Sequence, residues 1–158
     1  MRKVLLESPI LTQSGYGEHS RFVYRSLMNR DDIDLFVHPL GWGTTGWLTN
    51  DDEERRSIDA LIEKTTAYTV QSANEPHYDT HIHVGIPGEF VKKAPHAVHI
   101  TAGIETTKIS SSWLEKTFQM NKIIVPSNHA KWAFENTTHE VENEGKRFGI
   151  TCKAPIEV

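Results

Sequence analysis

Short apolar runs alternate with longer amphipathic segments along this chain, and no other feature constrains its fold as strongly. The runs that predict strands are KVLLE (3–7), IDLFVHP (33–39), YDTHIHVGIP (78–87), HAVHITAG (96–103) and NKIIVPS (121–127). The segments whose apolar spacing predicts helices are 18–29, 51–65, 111–119 and 128–137. Strands that alternate with helices predict an α/β fold, here a Rossmann-like, three-layer α/β/α domain with a mainly parallel sheet.

Local signals predict how the helices begin and where the domain ends. Ser112 and Glu115 have the spacing of a capping box, and Ser127 is placed to cap the helix that follows it. The first helix is expected to bury an apolar side formed by Phe22, Val23 and Leu27. Residues 1–137 are predicted to form one domain. The remainder, 138–158, is predicted to be a polar loop or linker followed by a final strand.

Composition limits the classes of function. The chain has 158 residues, of which 37% are hydrophobic and 24% are charged, so we expect a globular domain with one core. The formal net charge is -4 and no basic run is present, which argues against nucleic acid and anionic membrane surfaces. No stretch approaches the roughly 20 apolar residues of a membrane span. The single cysteine, Cys152, excludes an internal disulfide, and we predict a cytoplasmic protein.

Residues with unusual chemistry follow the predicted strands. The segments concerned are 14–19, 41–47, 85–88, 101–108 and 127–129. In an open parallel sheet, ligands bind outside the carboxyl ends of the strands. The clustering of these segments at one edge of the sheet therefore predicts a functional cleft there.

The segment SGYGEHSR carries the first candidate site residues, which are Gly15, Tyr16, Gly17 and His19. Glycines allow the backbone to approach a ligand closely, and the start of the following helix offers N–H groups to an anion such as phosphate. The alternative is an ordinary strand-to-helix turn. The polar residues beside the glycines, His19 and Arg21 among them, favour a functional role.

The segment TAGIETTKISSSW carries the second set, which is Glu105, Thr106 and Lys108. A carboxylate at Glu105 can accept hydrogen bonds from sugar hydroxyls or act as a general base, and Lys108 can offset charge on a phosphate or on Glu105. The alternative is a solvated loop.

Histidines at His81 and His83 invite a metal interpretation, since residues two apart on a strand share a face. A zinc site needs three or four ligands, and no carboxylate or thiol has matching spacing. We therefore predict no metal and no cofactor. His83, near the carboxyl end of its strand, is instead predicted to face the cleft, whereas His96 and His99 are expected to be ordinary strand residues.

Taken in order, the segments VLLESPILTQSGYGEHSRFVYRSL, DTHIHVGIP and ITAGIETTKISSSWLEKTFQMNKIIVPSNHAKWAF resemble the N-terminal domain of a GT-B glycosyltransferase of the large retaining family 4. The resemblance covers nearly the whole chain. It implies metal-independent transfer of a sugar from a nucleotide-sugar donor to a sugar or glycan acceptor, with the acceptor bound mainly by this domain. It also implies that Gly15, Tyr16 and Gly17 face the donor phosphates and the acceptor, and that Glu105 and Thr106 lie near the reacting centre.

The chain also departs from the family pattern. Many relatives carry a histidine or aspartate after the strand that ends at Thr101, where this sequence has TAGIE. The donor-binding domain of the family is not expected within this chain, which we interpret as a fragment, a naturally split or truncated gene, or a half-enzyme that needs a partner. We therefore expect an acceptor-side half that is inactive alone and that self-associates or binds a partner chain over its open face. The alternatives are a stand-alone module that binds a glycan, nucleotide or protein without catalysis, and a small flavodoxin-like enzyme that uses nucleotide or metal.

Overall fold

The computed structural model describes residues 1–158 and confirms the α/β class and the mainly parallel strand pairing. The helices are α1 (Gly15–Leu27), α2 (Glu53–Gln71), α3 (Ser111–Thr117) and α4 (Asn128–Asn136). The strands are β1 (Arg2–Ser8), β2 (Ile33–Pro39), β3 (Thr80–Val84), β4 (His96–Ile100), β5 (Lys122–Ile124), β6 (Thr138–Asn143), β7 (Lys146–Thr151) and β8 (Ile156–Glu157). None of the helices combines the length and the apolar character needed to cross a bilayer.

The chain divides into two compact units, which are described separately. Unit 1 consists of Met1–Val84 and Lys93–His96, and unit 2 consists of Gly85–Lys92 and Ala97–Val158. In unit 1, β1 lies between β2 and β3 and pairs in parallel with both. A buried cluster supports these strands and consists of Leu5, Phe36, Tyr78 and Ala94, with Tyr68 packed against it.

Unit 2 also has parallel strands, with β5 between β4 and β8. Its core is a larger apolar cluster that includes Phe90, Leu114, Ile123 and Phe134. Ser127 caps α4 as expected, because its Oγ accepts a hydrogen bond of 3.1 Å from the amide of Ala130. The parallel pairing of β8 with β5 confirms the final strand predicted from the tail.

The prediction of a polar loop over 138–149 was wrong. This segment forms most of an antiparallel hairpin of β6 and β7, in which Val141 pairs with Phe148. Glu144 and Gly145 have positive φ angles of 52° and 74°, which fits the tight turn that joins two hairpin strands. Because both strands are largely exposed, their polar composition concealed the alternating pattern.

Two expectations about helices also differ from the structure. The helix α3 is preceded by Ser110 and not by Ser112, and no side chain caps it, so the predicted capping box is absent. In α1 the buried side is formed by Gly17, Ser20, Arg21 and Tyr24. Phe22, which we expected to be buried, is 58% exposed, because it does not lie on this buried side of α1.

Candidate functional site

The loop that joins β1 to α1 in unit 1 is fixed by polar contacts. The Arg21 side chain is buried and donates from Nη1 to the carbonyl oxygens of Ile10, at 2.7 Å, and Thr12, at 3.2 Å. Ser14 Oγ accepts from the amide of Gly17 at 2.9 Å and so caps the helix. The first candidate residues therefore lie in the first turns of α1, directly after a loop whose backbone is held by polar contacts.

The two glycines of SGYG have different surroundings. A Cβ atom at Gly17 would lie 2.2 Å from the carbonyl oxygen of Thr12, so only glycine allows α1 to pack against the loop at this point. Gly15 is exposed, and a Cβ atom there would meet nothing within 4 Å. Close packing therefore requires a glycine at position 17, whereas the space beside Gly15 at the start of the helix is open.

An aromatic pair forms beside this loop. The ring of Tyr16 lies 4.4 Å from that of Trp42, centroid to centroid, with an angle of 38° between the planes. Trp42 belongs to the glycine-rich loop that follows β2, and both rings are partly exposed. His19, one turn further along α1, is also partly exposed. Four of the predicted residues of unit 1 therefore lie together at the beginning of α1.

A carboxylate is buried near the carboxyl end of β1. Glu7 accepts a hydrogen bond from His81 Nε2 at 2.8 Å and one from Lys93 Nζ at 2.5 Å. The backbone N–H of Lys93 donates to His81 Nδ1 at 3.3 Å, so the ring hydrogen of His81 lies on Nε2, towards Glu7. Burial alone would raise the pKa of Glu7, but the bonds from His81 and Lys93 outweigh it and lower this pKa to about 2.

The strand register extends this cluster across unit 1. Glu7 is paired with His38 on β2 and with His83 on β3. Burial lowers the pKa of His83 to about 4, and the ring of His83 lies 6.1 Å from that of His81. Partial burial and the nearby Lys93 ammonium lower the pKa of His38 as well. Near neutral pH these lowered pKa values leave Glu7 ionised and His38 and His83 uncharged.

The position of His83 is therefore different from that of the other predicted residues in unit 1. Its side chain is only 2% exposed and lies among the buried polar residues at the end of β3. No group of three or more His, Cys, Asp or Glu side chains has an arrangement that would hold a metal ion. The structure thus associates His83 with Glu7 and His81 rather than with Tyr16 and His19.

The second set of candidates lies in unit 2, in the loop that follows β4. Glu105, Thr106 and Lys108 are all exposed. The hydroxyl of Thr106 donates to the carbonyl oxygen of Lys108 at 3.2 Å, and His129 Nε2 lies 3.1 Å from the carbonyl oxygen of Thr106. The Glu105 carboxylate makes no hydrogen bond or ion pair within the protein. Hydrogen bonds from side chains to backbone carbonyls hold this loop, and the Glu105 carboxylate is exposed to solvent.

Several residues of interest were missed from the sequence. Glu7 was a signal, because it is the acid at the end of the run KVLLE, and an acid at the end of an apolar run is either at a sheet edge or paired. His38 likewise ends the run IDLFVHP, and Trp42 lies in a glycine-rich loop at the end of a strand. Nothing local indicates Lys93, since it meets Glu7 only through the fold.

Comparison with known proteins adds no assignment: the chain matches no model of a protein family, no curated protein and no solved structure.

Proposed function

We propose that this chain is the acceptor-side half of a GT-B glycosyltransferase, with a three-layer α/β/α arrangement. In this proposal it binds a sugar or glycan acceptor, and a nucleotide-sugar donor is held by a second domain. The sequence resemblance supports the class of enzyme. The function needs no metal and no cofactor.

The observation that carries the proposal is the aromatic pair of Tyr16 and Trp42. The two rings come from the loops after two neighbouring parallel strands, which is where ligands bind in sheets of this kind. They are partly exposed and stand next to polar groups, and sites for small molecules combine apolar or aromatic surfaces with a few fixed polar groups. A sugar ring has both apolar C–H faces and hydroxyl edges, so it suits this surface.

A second candidate is a glycan-binding module without catalysis. Glu105 favours it, because this carboxylate is exposed and nothing in the protein orients it or changes its environment. A general base is usually held within hydrogen-bond reach of its substrate and tuned by its neighbours. In this candidate Tyr16 and Trp42 still bind the glycan, while Glu105 has no role.

Acceptor binding tests the proposal directly. Mono- and oligosaccharides would be titrated into the protein and into a Trp42→Ala variant, with binding followed by NMR. We expect acceptors to bind and the variant to bind at least roughly fivefold more weakly, since an aromatic contact contributes about 1 kcal/mol beyond its buried area. Trp132→Ala is the control, because Trp132 is more exposed than Trp42, at 48%, and lies in unit 2.

A Glu105→Gln variant separates the two candidates. The transferase half is expected to lose acceptor affinity in this variant, because the resemblance implies that Glu105 lies on the acceptor side of the reacting centre. A simple binding module would keep its affinity. If no saccharide binds, or if Trp132→Ala weakens binding as much as Trp42→Ala, the role given to the aromatic pair is wrong.

A further inference from the structure

Unit 1 contains a cavity of about 380 Å³ that the proposed function does not use. Its apolar wall includes Leu5, Pro76 and Tyr78. Two threonines of α2, Thr65 and Thr69, also line it, and their hydroxyls donate to backbone carbonyls of the helix. Three further polar side chains reach the cavity: His38, Asn74 and Lys93. This volume lies at the small end of the range of about 300–1,000 Å³ that is usual for ligand pockets. A neighbouring depression of about 300 Å³ shares His38 and Asn74, so both side chains border open space on two sides.

Two of the polar side chains have unused hydrogen-bonding capacity. Neither the ring nitrogens of His38 nor the carboxamide of Asn74 makes a hydrogen bond within the protein. Asn74 is nevertheless fixed, because its backbone has a positive φ of 67° and its amide donates to the carbonyl oxygen of Thr69 at 2.9 Å. At its mouth the cavity therefore presents a ring nitrogen donor and acceptor and a carboxamide, on two exposed side chains.

The third polar group is a cation whose charge is already balanced. Lys93 Nζ donates to Glu7 at 2.5 Å, and an ammonium has three N–H groups, so it has donors left for a ligand. The Lys93 side chain is 39% exposed and can reach a ligand, whereas the Glu7 side chain is 7% exposed and stays buried beneath it. A ligand here can take hydrogen bonds from Lys93 without bringing a charge of its own.

This balance of charge discriminates between classes of ligand. His38 is uncharged near neutral pH, as described above, so the polar groups around the cavity carry no net charge. A carboxylate or phosphate ligand would add an uncompensated negative charge close to the buried Glu7 carboxylate. Hydroxyl groups satisfy the same donors and acceptors without that cost.

We propose that this cavity is a binding site for an uncharged polyol about the size of one sugar ring. The apolar wall, with Leu5 and Tyr78, contacts the C–H faces of the ring, and the hydroxyl groups exchange hydrogen bonds with His38, Asn74 and Lys93. The proposal does not depend on sugar transfer, and it concerns a different set of residues from Tyr16 and Trp42.

The test is an NMR titration of the full chain with paired probes. Methyl α-D-glucopyranoside and myo-inositol are the uncharged probes, and glucuronate and glucose 6-phosphate are their anionic counterparts. We expect the uncharged probes to bind and to shift the resonances of His38 and Asn74, with the anionic probes at least roughly tenfold weaker. Tighter binding of an anionic probe, no binding of either uncharged probe, or shifts confined to Tyr16 and Trp42 would each overturn the proposal.

Two variants locate the site without disturbing the fold. Asn74→Gly removes the carboxamide and keeps the positive φ, which glycine adopts without strain. His38→Ala removes a side chain that makes no hydrogen bond. Each is expected to weaken binding roughly fivefold or more, whereas His96→Ala, which changes an exposed histidine of the same unit, should have no effect. Unchanged affinity in both variants, with melting temperatures like that of the parent, would place the ligand elsewhere.

Discussion

The two units bury different kinds of side chain. Both buried charged residues of the chain, Glu7 and Arg21, belong to unit 1, together with His81 and His83. The buried polar residues of unit 2 are one histidine and three threonines: His99, Thr101, Thr117 and Thr137. Both units bury many apolar side chains, including Phe36 and Tyr78 in unit 1 and Phe90 and Phe134 in unit 2, so the difference lies in the buried charged groups.

The buried charged groups give unit 1 a source of folding stability that unit 2 lacks. In unit 2 the folded state depends mainly on the close packing of apolar volume, which does not titrate. In unit 1 it depends also on the hydrogen-bonded Glu7 carboxylate and on His83, which burial keeps uncharged, so its stability is coupled to pH. Buried ionisable groups with displaced pKa values are also candidates for function, and in this chain they lie in unit 1.

The largest effect is expected in the core of unit 2. Phe134 is fully buried, so Phe134→Ala should lower the free energy of unfolding by about 3–5 kcal/mol, through lost burial and the cavity left behind. Urea denaturation measures this loss. Amide hydrogen exchange then shows whether protection falls mainly in unit 2, as the comparison requires.

The matched control is Phe148→Ala, which removes the same side chain from the exposed hairpin. Phe148 is 50% exposed, and we expect a change of less than about 0.5 kcal/mol. Similar losses in the two variants would contradict the description of the core of unit 2. A loss of protection spread equally over both units would show that they unfold together.

The next effect concerns the carboxylate of unit 1. The pKa of Glu7 falls from 4.5 to about 2 on folding, so its contribution is complete above the ordinary value and is lost as the pH falls towards 2. At about 1.4 kcal/mol for each pKa unit, this contribution is about 3 kcal/mol. Glu7→Gln should remove it near neutral pH and flatten the acid limb of the stability curve. Denaturation at a series of pH values measures both results, and Glu63→Gln, on the exposed side of α2, is the control.

His83 gives a separate pH effect in a different window. Its pKa falls from 6.5 to about 4 on folding, so between these values the unfolded chain binds a proton that the folded chain does not. Stability should therefore fall by up to about 3 kcal/mol as the pH drops through this window. In His83→Gln, which has no titrating ring, the slope in this window should be smaller. The exposed His77 provides the control, and an identical slope in His83→Gln and the parent would show that His83 takes up its proton in the folded state.

Much of the fold followed from the sequence, because the signals for its elements are local. The run IDLFVHP predicted β2 from 33 to 39, and Ser127 predicted the start of α4. The hairpin of β6 and β7 was missed because both of its faces are largely exposed, so alternation of apolar and polar residues is weak there. The prediction of a capping box at Ser112 and Glu115 was wrong because Ser110 occupies the N-cap position and the helix already begins at Ser111.

The candidate sites were harder to predict from the sequence, because their geometry depends on segments that are distant along the chain. Tyr16 was selected from its place beside two glycines, but its partner Trp42 is separated from it by the whole of β2. The pairing of Glu7 with His81 and Lys93 joins residues more than 70 positions apart, and no periodic pattern in the sequence predicts it. Sequence reasoning thus identified loops at strand ends but not the buried network below them.

The smallest effect separates the ways in which the helices of the two units begin. Both helices of unit 1 have side-chain caps, from Ser14 and Asp52. In unit 2, Ser127 caps α4, but α3 has no side-chain cap. Ser14→Ala should therefore lower the free energy of unfolding by about 1 kcal/mol, because the amide of Gly17 loses its acceptor. Ser110→Ala is the matched change before α3 and should cost less than half of that, since Ser110 bonds only to the exposed hydroxyl of Ser112. Equal losses in parallel urea denaturation series would mean that Ser14 contributes through its contact with Thr12 or through the unfolded chain rather than as a cap.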